Sequence, residues 1–383
     1  MKKIHQTLLL LLSIFSIGVL YTSCSKDDQD AGGGEPLVKY VRVTKPESAD
    51  SLLVGAGQGQ LIAIIGENLK SATQIWFNDQ QAVLTPTYIT NTTIMVRVPA
   101  TVPKELTNTM RIVFASGKVL QQSFELQISE PLISSMVSEY VPNGGVATIR
   151  GNFFYAPLKV TFTGGAEAEI VSLKDAEVQV IVPAGAQPGQ ITITTNFGET
   201  QSDFMFRDSR NIFISSDPFT GWWNESYVVT NPDADSPPKI NGNYIRVKKV
   251  IGGWAWTEVA GGPATAMGNI SKSIPDEAIL KPEKYNLKFE VNTMKPYNNN
   301  ALKINVGLQG ENNNAYIWAP PYDTKGKWQT VVIPFDEIAK SYGAPMSVNP
   351  NGYWARLLFH GGGELDADIS FDNFRVVPKD ITN

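Results

Sequence analysis

The chain has 383 residues with 32 basic and 37 acidic side chains, a formal net charge of −5. That balance argues against a nucleic-acid partner, for which a basic footprint is expected. One cysteine and two histidines leave no material for disulfides or for His/Cys metal clusters.

Lys2 and Lys3 precede an apolar run over 8–20, followed by Tyr21-Thr22-Ser23-Cys24. A charged start, a short apolar stretch and small residues predict a signal peptide over 1–23, not a membrane span. Cleavage there leaves 30 basic against 37 acidic residues, or −7. The segment Ser25-Lys26-Asp27-Asp28-Gln29-Asp30 and the glycines 32–34 then read as an acidic stretch and a flexible tether over 24–38. Low charge, 18%, with abundant Gly, Pro and β-branched residues, predicts an all-β protein with many turns.

An internal repeat follows over 39–207. In the first copy, 39–129, Leu61-Ile62-Ala63-Ile64-Ile65-Gly66-Glu67-Asn68 precedes Ile75-Trp76-Phe77, then Val96-Arg97-Val98-Pro99 and Ser123-Phe124. In the second, 130–207, Val146-Ala147-Thr148-Ile149-Arg150-Gly151-Asn152-Phe153 precedes Val160-Thr161-Phe162, then Val180-Ile181-Val182-Pro183 and Ser202-Asp203-Phe204. Gly66 and Pro99 are 33 apart, and Gly151 and Pro183 are 32 apart. Each copy predicts a small β-sandwich.

The remainder, 208–383, departs from the repeat and holds seven of the eight tryptophans. Eight strands are predicted, near Asn211, Tyr244, Trp254, Tyr285, Leu302, Trp328, Ala355 and Ile369. Together they form a jelly-roll-like sandwich. From Tyr285 the alternation puts Tyr285, Leu287, Phe289 and Val291 inward and Asn286, Lys288, Glu290 and Asn292 outward. After Gly252-Gly253, the same rule puts Ala255, Thr257 and Val259 on one face. Trp254, Trp256 and Glu258 take the other, with the two indoles about 7 Å apart along a strand.

Flat rings in a row beside polar side chains suit the apolar faces of sugars. Trp222, Trp223, Trp254, Trp256, Trp318, Tyr353 and Trp354 are candidate platforms. Asn224, Glu225, Asn241, Asn243, Glu258, Gln309 and the asparagines 312–314 are candidate polar contacts. Alternation leaves one of Trp222/Trp223 and one of Tyr353/Trp354 for the core; Trp318 is open between core and site, and Trp328 is assigned to the core. His360 reads as a loop residue or a sugar hydrogen-bonder. No catalytic residue is assigned, although hydrolysis by a carboxylate pair drawn from Asp217, Glu225, Glu258, Asp366, Asp368 and Asp372 remains the alternative. No cofactor is expected beyond a structural Ca²⁺ on Asp368 and Asp372.

The repeats resemble the immunoglobulin-like TIG/IPT domain, and Cys24 resembles the lipid-modified cysteine of bacterial lipoproteins. Leader, tandem TIG-like domains and a Trp-rich C-terminal sandwich together resemble the surface glycan-binding proteins of polysaccharide-utilisation systems. Gly221-Trp222-Trp223 and 252–258 resemble their xyloglucan-binding-type domain. The resemblance implies a non-catalytic outer-membrane lipoprotein facing the cell exterior. It would capture a neutral β-glucan or xyloglucan-type polysaccharide on Trp223, Trp254 and Trp256 and pass it to a neighbouring transporter or glycanase. A structural or adhesin role through the repeats is the remaining reading.

Overall fold

The structure, a computed structural model, describes residues 34–381 apart from 49, 223 and 308–314. Leader, Cys24, Trp223, Gln309 and the asparagines 312–314 lie outside the described residues. Two compact units divide the chain at Ile128/Ser129.

In the first unit, Leu61–Glu67 lies between Leu37–Val43 and Thr93–Arg97, and a second sheet runs Gln80–Gln81, Ala72–Phe77, Thr109–Phe114, Val119–Ser123. Alternate residues Ile62 and Ile64, Ile75 and Phe77, Met110, Ile112 and Phe114 close one core between the sheets.

The second unit holds two sandwiches. In the smaller, Leu132–Met136, Val146–Asn152, Glu177–Ile181 and Glu169–Lys174 form one sheet. Ala166–Glu167, Leu158–Phe162, Ile191–Thr195 and Gly198–Gln201 form the other. Its core is again built from period-two positions: Ala147 and Ile149, Val160 and Phe162, Val178 and Val180, Ile191 and Ile193.

The larger sandwich faces a six-stranded sheet against a four-stranded one. The first is ordered Val228–Val229, Tyr244–Ile251, Leu365–Pro378, Tyr285–Thr293, Gln329–Pro334, with Ile212–Ile214 also on Leu365–Pro378. The second is ordered Thr257–Gly262, Trp354–Phe359, Leu302–Gly307, Tyr316–Trp318. Between them pack Leu287, Phe289 and Val291 from one side and Leu302, Ile304, Leu357 and Phe359 from the other. Three short helices, Ala264–Met267, Asp276–Leu280 and Phe335–Ser341, complete the fold.

Two expectations about strands change. The strand expected from Trp254 starts at Thr257, because the glycines before it make a turn. The outward residues Lys288, Glu290 and Asn292 are buried, not solvated. The smaller sandwich covers that face: Glu139 accepts from Lys288 Nζ at 2.6 Å and from Arg375 Nη2 at 2.8 Å, and the Lys288 ammonium lies 5.7 Å from the Phe204 ring centroid. Arg375 also bonds both oxygens of Glu290, at 2.9 and 3.1 Å. Burial and then the charge of Glu139 push the Glu290 carboxyl up; Arg375 opposes both.

Candidate functional site

The exposed tryptophans gather along one strand. In Trp354–Phe359, Ala355, Leu357 and Phe359 point into the core, so Trp354, Arg356 and, one residue past the strand, His360 take the opposite face. Each of these three backs an exposed indole. Trp222 stands edge-on to Trp354 with ring centroids 5.8 Å apart. The Arg356 guanidinium lies 4.8 Å from the centroid of Trp256. His360 packs against Trp254 at 5.6 Å and Trp256 at 5.2 Å. From residue 354 to 360 the backbone advances about 20 Å, which sets the length of this aromatic surface. Trp222, Trp254 and Trp256 keep 54%, 67% and 50% of their surface in solvent.

Trp254 reaches that exposure from a turn, not by strand alternation. Its φ of +60° is a conformation that bulky side chains rarely adopt. Ala255 N donates to Gly252 O at 3.1 Å and Trp254 N to Gly361 O at 2.7 Å, so two glycine-rich loops hold it. The indole lies over Gly362, where a Cβ would sit 3.5 Å from Trp254 Cζ2. A large apolar side chain held exposed in a strained backbone is the kind of outlier that marks a functional position. Trp254→Gly relieves the backbone while deleting the ring, and stability is expected to stay within about 1 kcal/mol of wild type, read as an unchanged thermal midpoint. Retention by a β-glucan is expected to fall in the same variant.

Glu258 is not an exposed polar contact. It is 8% exposed and sits under Trp256, accepting the indole N–H at 2.7 Å and the Arg356 Nε at 3.1 Å on each oxygen. Glu258 and Arg356 therefore form a buried pair that carries Trp256 on top. Lys303, one strand further on, is held below the ordinary lysine range by burial and by the Arg356 charge. The Trp222 loop is pinned to the same sheet: Trp222 N donates to Gly261 O at 2.9 Å, and Asn224 Nδ2 donates to the Glu258 carbonyl. Gly221 makes this approach possible, since a Cβ there would meet Gly261 O at 2.6 Å.

Other expected positions fall elsewhere. Trp318 belongs to the core, 8% exposed and packed on Phe289, Tyr297 and Tyr322 at 5.0–5.5 Å. Tyr353 is 2% exposed and its hydroxyl bonds Asp276 Oδ1 at 2.6 Å; burial pushes the phenol up to about 12. Trp354 is buried as well and serves as the backing of Trp222. Asn243 bonds Ser216 O at 3.1 Å and accepts from Lys239 at 3.0 Å, in a turn of the other sheet. Trp328 is buried as expected, but against Tyr244 and Pro238 on the outer side of the six-stranded sheet. Arg356, absent from the expected set, and His360, expected as a loop residue or a sugar hydrogen-bonder, are the supports. Among the described residues no cluster of three or more His, Cys, Asp or Glu side chains is arranged for a metal.

Residues 206–378 match the surface glycan-binding protein B xyloglucan binding domain, and 53–125 match the IPT/TIG domain. The C-terminal sandwich is similar to the xyloglucan-binding domain family of surface glycan-binding protein B. An IPT/TIG domain-containing protein of Bacteroides ovatus is 30% identical over 154 residues, 37% of this chain and 31% of that one. The match thus spans about a third of that relative's length. Among solved structures, the surface glycan-binding protein PbSGBP-B from Prevotella bryantii is similar in fold. Its TM-score is 0.67 at 23% identity, over 91% of this chain and all of that one. The SGBP-B from a complex xyloglucan utilization locus in Bacteroides uniformis aligns with a TM-score of 0.48 at 18% identity, over 90% of this chain and all of that one. In the C-terminal sandwich, the three indoles and their backing strand form an exposed aromatic surface that a flat ligand would meet.

Proposed function

We propose that this chain is a non-catalytic, cell-surface protein that captures a neutral β-glucan, of xyloglucan or mixed-linkage type, by stacking sugar rings on Trp222, Trp254 and Trp256. One observation carries the reading: three large apolar rings stand exposed in a row, each packed against Trp354, Arg356 or His360 along one strand. Such a patch is costly in water and marks an interaction surface. The similarity of residues 206–378 to the xyloglucan binding domain supports a glycan as the ligand.

Glu258 spends its carboxylate on Arg356 and Trp256, which supports binding without hydrolysis. A glycosidase needs a carboxyl free to exchange protons at the scissile bond. The leader supports lipidation at Cys24 and display on the outer membrane, where a neighbouring transporter and glycanase would receive the polymer. No described helix is long and apolar enough to cross a membrane.

Affinity electrophoresis through gels containing xyloglucan, mixed-linkage β-glucan, cellulose derivatives and xylan tests this directly. At least one β-glucan is expected to retard the protein, with no reducing ends released on incubation. Free migration through every neutral glycan, or release of reducing ends, would sink the proposal.

A further inference from the structure

The Leu365–Pro378 strand carries a bulge on the side away from the tryptophans. Against Tyr285–Thr293, Lys288 faces Arg375 and Glu290 faces Asp372, so two residues on one strand oppose Phe289 alone. Asn373 in the bulge takes φ +53°. Bulges re-aim side chains and are used for that purpose next to sites. Here the bulge brings Asp372 and Asn373 to a cavity of about 320 Å³, shared with Ser216, Asp217, Asn241 and Gly242.

Asp372 is 7% exposed. Its Oδ1 accepts from Asn373 N at 2.8 Å, while its Oδ2 is buried with no hydrogen-bond partner among the described residues. An unpaired buried carboxylate oxygen is costly. Asp217 lines the same cavity and is fixed by Asn243 N, 3.0 Å from each oxygen. A Cβ at Gly242 would lie 2.3 Å from Asp217 Oδ2, so the turn leaves this space to the carboxylate. Asn241 Nδ2 donates to Asn373 Oδ1 at 2.6 Å, and Asn373 Nδ2 is buried without an acceptor. The two amides can turn over together and keep their mutual bond. Asn373 then presents an oxygen instead of a stranded donor.

The charges around Asp372 do not balance. Arg375 bonds Glu290, Glu139 and the Asn373 carbonyl, and Lys288 bonds Glu139. Four carboxylates, Glu139, Glu290, Asp372 and Asp217, thus meet two cations, which leaves a deficit of two positive charges.

We propose that this cavity binds a hard divalent cation, Ca²⁺ fitting best, on the carboxylates of Asp372 and Asp217 and the amide oxygen of Asn373. Every donor is oxygen, which excludes the softer metals that seek nitrogen or sulfur. Ca²⁺ takes 6–8 oxygens in flexible geometry and fills the remainder with water, whereas Mg²⁺ demands a stricter octahedron. Of the acids expected from sequence to hold Ca²⁺, Asp368 is unavailable, since both its oxygens bond Arg246, at 2.7 and 2.9 Å. Asp217 takes its place. Two carboxylates place the affinity near the 10⁻⁴–10⁻³ M of extracellular modules, on an order-of-magnitude scale.

The test uses the full chain stripped with EDTA, followed by thermal unfolding and calorimetric titration with CaCl₂ or MgCl₂ at constant ionic strength. At roughly 10 mM Ca²⁺ the midpoint is expected to rise by about 3 °C or more, with a smaller rise for Mg²⁺. Asp372→Asn and Asp217→Asn are each expected to reduce the Ca²⁺ response to less than about 1 °C. In EDTA, Asp372→Asn is expected to unfold no lower than wild type, because the unpaired charge is gone. Absence of a Ca²⁺-specific shift and of binding heat in wild type would overturn the site, as would an undiminished shift in both variants. Should Asp372→Asn fail to fold, the exposed Asp217→Asn decides alone.

Discussion

Arg375→Met is expected to lower the stability of the unit formed by Ser129–Asn383 by about 3–5 kcal/mol, because it strands buried carboxylates. Arg375 has no exposed surface and makes four hydrogen bonds, three of them to Glu290 and Glu139. Burial disfavours its charge, yet Glu290 and Glu139 outweigh that and push the guanidinium further up. Without it, two acids face each other in a water-poor junction with Lys288 alone against them. For a unit of this size the midpoint is expected to fall by roughly 10 °C.

The sign of the pH dependence follows from Glu290, whose folded carboxyl is already raised by burial. Such a group binds more protons folded than unfolded, so its contribution to stability falls as pH rises. The gap between variant and wild type is therefore expected to be widest near neutral pH and to narrow at mildly acidic pH. Adding Glu290→Gln to Arg375→Met is expected to recover part of the loss, a coupling that a double-mutant cycle measures. An Arg375→Met protein as stable as wild type would show that the junction does not depend on this network.

Trp256→Ala is expected to weaken β-glucan binding about 30-fold, corresponding to ~2 kcal/mol for a central aromatic anchor. Combined with Trp254→Gly, binding is expected to drop below detection by calorimetry. Both rings are on the solvent side, so the thermal midpoint is expected to move little; the lost contact of Trp256 with Arg356 costs about 1 kcal/mol. This pairing of lost affinity and retained stability separates ligand contact from support. Trp318→Ala provides the contrast, since its ring fills the core and its removal acts through folding.

Much of the fold was legible because alternation is local. Tyr285, Leu287, Phe289 and Val291 point inward as their pattern requires. The opposite face of that strand was misread because its cover, Glu139 and its neighbours, comes from a different sandwich. A two-residue period reports which residues share a face; it cannot report what packs there. The same limit applied at the site. The exposure of Trp254 and Trp256 was expected, but the reason was wrong: the glycines before Trp254 make a turn, and Trp254 departs from strand geometry.

Glu258 was placed beside the sugar because Arg356, 98 residues away, pairs with it only through the fold. Trp318 illustrates the opposite case. Left open between core and site by its aromatic, proline-rich surroundings, it pairs with Leu302 across a strand that the local pattern did not reveal. His360 stood in a glycine-rich segment next to a strand. The clue was there, but nothing local matched that segment to the glycines before Trp254.

The most direct test of the account is a crystal structure of the chain with a xylogluco- or mixed-linkage oligosaccharide. Sugar rings stacked on Trp254 and Trp256, above the strand that carries Arg356, are the predicted result. An oligosaccharide bound elsewhere, with both indoles still facing solvent, would contradict it.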